Sequence, residues 1–141
     1  VVVEMANYLN KRSSKLVKFQ VTVQPLILTR IPLSRPLFEW VIENICKNAI
    51  DAMEGEGEIH IQMHQNKTDT IIDISDTGKG MARGAQKTAF KPGFSTKRRG
   101  WGLGLTLSQR IVEQYHRGEI SIVESLLGKG TTFRIALPLS L

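Results

Sequence analysis

FKPGFSTKRRGWGLGL, residues 90–105, joins a Pro/Gly-punctuated loop to three consecutive cations, Lys97, Arg98 and Arg99, and to glycines at 100, 102 and 104. LTLSQRIVEQYH follows at once and places Leu103, Leu107, Ile111 and Tyr115 at helical spacing. Glycines at the mouth of a helix suit anion binding, because free backbone N–H groups and the positive helix end face a phosphate with no Cβ in the way. The stretch reads as a basic lid over a polyphosphate. Taken alone, a solvated loop ahead of an ordinary helix explains the same residues, so the decision rests on what flanks it.

Upstream, Asp76-Thr-Gly-Lys-Gly-Met81 is a turn at a strand end, and Ala82 to Ala89 fits a short helix. Before the turn, Glu58–Gln65 alternates cleanly and Thr70–Ser75 continues the pattern after a turn at Asn66–Asp69. Ile59, Ile61 and Met63 face one way, with His60, Gln62 and His64 on the solvent side. A helix from the N-cap Ser34 to about Met53 puts Leu37, Val41, Ile45 and Ala52 on a core face. Asn44, Asn48 and Asp51 fall on another stripe, at i, i+4 and i+7. Further out come a strand over Leu16–Val23, a short strand over Ile27–Ile31 between two prolines, and a helix over Val1–Ser14. Downstream, Glu119–Glu124 and Gly130–Leu137 form two last strands joined through Gly128-Lys-Gly130. Helices interspersed among neighbouring strands predict an α+β fold, a two-layer α/β sandwich. Its mixed, mostly antiparallel sheet carries helices on one face.

The bulk properties narrow the partners. A chain of 141 residues with 41% hydrophobic and 23% charged residues is one globular domain with a proper core. A net charge of +6 suits an anionic partner, but aromatics make up only 6% and do not interleave with the basic residues, which speaks against a nucleic-acid platform. One cysteine, Cys46, excludes an internal disulfide and reads as a packed thiol; the three histidines are not at zinc-ligand spacing. No apolar run approaches a membrane span, and the chain reads as cytoplasmic.

Asparagine is a poor helix former, and two of them one turn apart point together, as if at a ligand or an ion. Asp76-x-Gly78-x-Gly80 sets a carboxylate at a strand end beside glycines that let a ligand approach. Each motif has a plain alternative: Asn pairs satisfy neighbouring loops, Asp-Thr-Gly is a turn, and Gly128–Gly130 is a hairpin connection. In this order and spacing they want one explanation.

The ordered set resembles the ATP-binding catalytic domain of sensor histidine kinases, within the larger group that includes gyrase, mismatch-repair and chaperone ATPases. ENICKNAIDA (43–52) is similar to the family's asparagine box, DTGKGM (76–81) to its first glycine box and FKPGFSTK (90–97) to its phenylalanine box. GWGLGL (100–105) and GKGTTF (128–133) resemble the remaining two glycine boxes. The resemblance spans about 16 to 138 and implies the Bergerat ATP-binding fold over 15–141, with residues 1–14 as the remnant of a dimerisation helix.

It also implies roles. Asn48 would hold Mg²⁺ through a hard amide oxygen, with Asn44 assisting metal or phosphate. Lys47 and Asp51 would line the same nucleotide site. Asp76 would accept from the adenine amino group and so reject GTP, with Gly78 and Gly80 letting adenine pack close and Thr131 near the same end. Lys97, with Arg98 or Arg99, would neutralise phosphates, while Gly100, Gly102, Leu103 and Gly104 would shape the phosphate loop. Hydrolysing relatives carry a glutamate one turn before the metal asparagine; here Asn44 stands there, which favours transfer over hydrolysis. Trp101 and Arg117 depart from the family pattern, the latter at a position commonly glycine. No histidine lies in the phosphoacceptor setting. The expected partners are ATP, a dimerisation domain carrying the acceptor histidine, and a response regulator. The parent is expected to be a homodimer that can be membrane-anchored, and this fragment a monomer. The other functional reading is a nucleotide-binding regulatory module without transfer.

Overall fold

The computed structural model describes residues 1–12, 16–24, 31–91 and 104–139. Period-two alternation becomes five strands: β1 (Val17–Val23), β2 (Gly57–Gln65), β3 (Asp69–Asp76), β4 (Glu119–Leu126) and β5 (Gly130–Pro138). They form one sheet in the order β1-β2-β3-β5-β4. β1 and β2 pair in parallel and every other neighbouring pair is antiparallel. The parallel pair needs a crossover, and the helix α2 (Arg35–Ala52) supplies it. The mixed sheet and its helical layer match the expected α+β sandwich.

Strand register fixes which face is buried. Ile61 opposes Ile74, Ile74 opposes Phe133 and Phe133 opposes Ile122, so one row of large apolar groups crosses the sheet. All but the half-buried Ile122 are at most 6% exposed. Against this face pack α1 (Val2–Arg12), α2 and α4 (Gly104–Arg110), the last continuing as a π-helical turn over Ile111–Tyr115. α1 sends Val2, Met5, Ala6 and Leu9 into the same core. The opposite face is polar. There the Asp73 carboxylate accepts two bonds from the Arg134 guanidinium, at 2.8 and 2.9 Å, tying β3 to β5, and His60 Nε2 lies 2.9 Å from Thr22 Oγ1.

Several expectations change in detail. α2 buries Phe38, Val41, Ile42, Ile45, Cys46 and Ala49, whereas Leu37 and Ala52 are only half-buried. The helix is wedged among the sheet, α1 and α4, so its apolar arc is wider than one stripe and is rotated away from the asparagines. On the last helix Ile111 of the expected stripe is buried, but Leu107 and Tyr115 are exposed, and Ser108, Val112 and His116 are buried beside Ile111. Ser34 begins α2 without a side-chain cap; its N–H donates to His116 Nε2 (3.0 Å), while His116 Nδ1 bonds the Ile111 carbonyl (2.9 Å). A nitrogen that accepts at Nε2 leaves the proton on Nδ1, so the ring is a structural link between the start of α2 and the end of the last helix. Cys46 is fully buried and its thiol is pushed up to about 12, first by burial and then by Glu43, as befits a packed thiol. The short strand expected over 27–31 lies outside the described residues apart from Ile31, which pairs with no strand. No helix among the described residues is long and apolar enough to cross a membrane.

Candidate functional site

One end of a candidate site lies where β3 leaves the sheet. Asp76 is the last residue of β3 and lies on the helix-covered face, since its β2 partner is the buried Ile59. Its Oδ1 accepts from Gly78 N–H (2.8 Å) and Thr131 N–H (3.3 Å), which leaves Oδ2 without a bonding partner among the described residues. Burial pushes this carboxyl above the usual aspartate range, and the Gly78 and Thr131 backbone N–H groups pull it partly back.

Backbone bonds also hold the loop after Asp76. Lys79 N–H donates to the Ala52 carbonyl at the end of α2 (3.0 Å), and Gly128 N–H donates to the Lys79 carbonyl (2.8 Å). A Cβ at Gly78 would come within 2.7 Å of the Ala52 carbonyl carbon, and one at Gly80, where φ is +70°, within 2.1 Å of the Leu126 oxygen. Protein backbone therefore fills the space beside both residues, so glycine is required for loop packing whatever binds. Met81 N–H continues the network to Ser125 Oγ (2.8 Å), which is 2.7 Å from Thr131 Oγ1. Gln86 on the short helix α3 (Arg83–Thr88) donates to the Met81 and Ser125 carbonyls (2.9 and 3.1 Å).

The second end is the asparagine stripe of α2 under the start of α4. Asn44 Nδ2 donates to Ser108 Oγ (3.2 Å), and Ser108 Oγ–H donates back to the Gly104 carbonyl (2.8 Å). That chain of donors fixes which end of the Asn44 amide is nitrogen and leaves its oxygen as the available ligand atom. Asn44 and Asn48 are half-buried on this stripe and Asp51 is exposed one turn on. Lys47 is exposed on the flank of this stripe, with its Nζ 2.9 Å from a Glu43 carboxylate oxygen. Thr106 Oγ1 donates to the Phe90 carbonyl (2.7 Å), and the Phe90 ring meets Phe133 edge-on at 6.2 Å. Phe90 and the first turn of α4 are thereby pinned together across the intervening chain.

Of the site residues expected from sequence, Asp76, Gly78, Gly80 and Thr131 are brought together, as are Asn44 and Gly104. Lys97, Gly100, Gly102 and Leu103 lie outside the described residues. Sequence reasoning missed Ser108 and Ser125. Ser108 had a signal, a lone hydroxyl four residues after Gly104 in an apolar pattern; Ser125 gave none, because a serine near a hairpin reads as a turn residue.

This arrangement can be set beside known proteins. Residues 34–141 match the model of the histidine kinase-, DNA gyrase B-, and HSP90-like ATPase family. The chain belongs to that ATPase family. Within it, signal transduction histidine-protein kinase AtoS of Escherichia coli (strain K12) is 42% identical over 114 residues, 80% of this chain and 18% of its own. This ATPase domain therefore spans under a fifth of that relative. The solved catalytic domain of histidine kinase ThkA superposes with a TM-score of 0.84 at 26% identity, covering 97% of this chain and 90% of that one. Full-length ShkA in complex with AMPPNP, 22% identical with a TM-score of 0.83 over 97% of this chain and 29% of its own, shares the fold. The chain is an ATP-binding catalytic domain of the sensor histidine kinase kind.

Proposed function

We propose that this domain binds Mg-ATP and transfers the γ-phosphoryl group to a histidine of a separate dimerisation domain, from which it passes to a response regulator. The observation that carries the reading is the Asn44 amide, held by Ser108 at the head of α4 where hydrolysing members of the family carry a glutamate. An amide takes no proton from water, so an attacking water finds no base there. In transfer, the new bond joins an acceptor imidazole nitrogen to the γ-phosphorus, the bond to the β,γ-bridging oxygen breaks, and ADP leaves.

The acceptor comes from elsewhere. Both nitrogens of His116 are engaged and the ring is buried. His60 and His64 are on the sheet face opposite Asp76, by the alternation of β2. Asp76 Oδ2 accepts from the adenine amino group, and Thr131 adjoins it. Asn44 and Asn48 would hold Mg²⁺ through hard amide oxygen atoms, and the ion would supply positive charge to offset that of the phosphates. Lys97, Gly100, Gly102 and Leu103 complete the phosphate end in this reading, and the parent acts as a homodimer.

The test is phosphoryl transfer from labelled ATP to an acceptor domain supplied in trans. The parent chain is expected to label it, and Asn48→Asp to lose at least about a hundredfold in rate, because a charge is set against the phosphates where a metal ligand stood. Undiminished transfer in that variant would sink the role of Asn48; nucleotide binding with no transfer from the parent would leave a regulatory module.

A further inference from the structure

We propose that Ser125 is a positioning residue that makes the Thr131 hydroxyl a hydrogen-bond donor toward the adenine ring; the inference rests on the nucleotide reading above. Ser125 and Thr131 are buried, at 9% and 6% exposure, and face each other across the β4–β5 hairpin. Ser125 Oγ accepts from Met81 N–H at 2.8 Å and shares one hydrogen bond of 2.7 Å with Thr131 Oγ1. Two hydroxyl protons thus compete for one hydroxyl–hydroxyl bond. One proton is left without a protein acceptor among the described residues.

Where that proton sits decides the chemistry. If Thr131 donates, the unused proton is on Ser125, between the hairpin and the start of α3, where Met81 and Gln86 close it in. If Ser125 donates, the unused proton is on Thr131, whose own N–H bonds Asp76 Oδ1. A ligand at Asp76 can take up the proton only in the second arrangement. The Met81 N–H strengthens the same choice, since a hydroxyl that already accepts a hydrogen bond is polarised into a better donor.

Asp76 and Thr131 then present an acceptor beside a donor. Adenine carries the complement, an amino donor flanked by the ring acceptors N1 and N7, whereas guanine has an oxygen in place of the amino group. Ser125 touches no nucleotide in this scheme; it sets the direction of a bond that does.

Calorimetric titration of the chain with ATP, 1-deaza-ATP and 7-deaza-ATP tests this, using the parent, Ser125→Ala and Thr131→Val. The parent is expected to bind one deaza analogue about three- to tenfold more weakly than ATP, the worth of one neutral hydrogen bond. In Thr131→Val that ratio should fall to near unity, and in Ser125→Ala, where the Thr131 hydroxyl is neither held nor polarised, it should shrink. A mere packing role for Ser125 would weaken all three nucleotides alike and preserve the ratio, and that result overturns the proposal. If Ser125→Ala does not fold, Thr131→Val decides alone, and an intact ratio there overturns it equally. A parent that distinguishes neither analogue while still preferring ATP to GTP also overturns it but leaves the nucleotide reading standing. A parent with no preference for ATP over GTP removes both.

Discussion

Asp76 joins a stability cost to a recognition role. Burial raises its folded-state carboxyl above 3.8, the value it has when unfolded. Between 3.8 and the folded value, the folded chain keeps a proton that the unfolded chain has lost, so stability falls as pH rises through that window. Above the window the ionised group carries its whole penalty. Asp76→Asn removes the charge and keeps an oxygen for the Gly78 and Thr131 N–H groups. Without nucleotide at neutral pH, the variant should melt at the parent's temperature or above. Its amide nitrogen then faces the ligand, donor against donor for adenine, and ATP affinity should drop about tenfold or more. GTP, with an acceptor at that edge, should gain relative to ATP. A variant that melts lower yet binds ATP as the parent does would contradict both halves.

Elements end where local geometry allows, and the last helix shows the cost of one residue choice. Arg117 has φ of +54°, the left-handed conformation usual for a residue just past a helix, and Gly118 N–H closes the end onto the Val112 carbonyl at 2.9 Å. The family's common glycine at this position is thereby explained, because a Cβ makes that conformation costly. Arg117→Gly should stabilise the chain by about 0.5–1 kcal/mol, the strain relieved less the extra chain entropy of glycine. Thermal melting is expected to rise by a few degrees; a fall would mean that the arginine makes contacts worth more than its strain. The same helix shows what periodicity could and could not disclose. Helical spacing from Leu103 to Tyr115 identified the element, but among the described residues of that stripe Ile111 is buried and Leu107 and Tyr115 are exposed. The buried face is set by a serine bonded to Asn44 and a histidine bonded to α2, polar residues that a hydrophobic pattern discounts. On α2 the asparagine stripe was legible because its residue type is out of place in a helix. Its true apolar arc was not, since three neighbours rather than one cover it.

At the scale of the molecule, the layers were legible, and so were several residues that the structure gathers at the candidate site. Alternation in β2 and β3, the glycine stops and the ordered motifs specify elements that only a sheet with helices on one face accommodates. Strand order was not legible, because the parallel pairing of β1 with β2 and the insertion of β5 between β3 and β4 are long-range choices that no local pattern encodes. Those choices put residues as distant as Asn44, in the helical layer, and Thr131, in the sheet, on the same side of the sheet. The end of β3, α2, α4 and the last hairpin all contribute to the site while sharing a single apolar cluster. Nucleotide bound there should therefore stabilise the whole fold rather than a flap of it. At a free concentration about a hundred times the dissociation constant, linkage gives about 2.7 kcal/mol. For a domain of this size that is a rise of about 8 °C in melting temperature. Mg-ATP should produce one cooperative transition shifted by that amount, and GTP at the same concentration much less. Two separate transitions would mean that the site elements unfold apart from the sheet, and an equal shift with GTP would mean that Asp76 does not read the base.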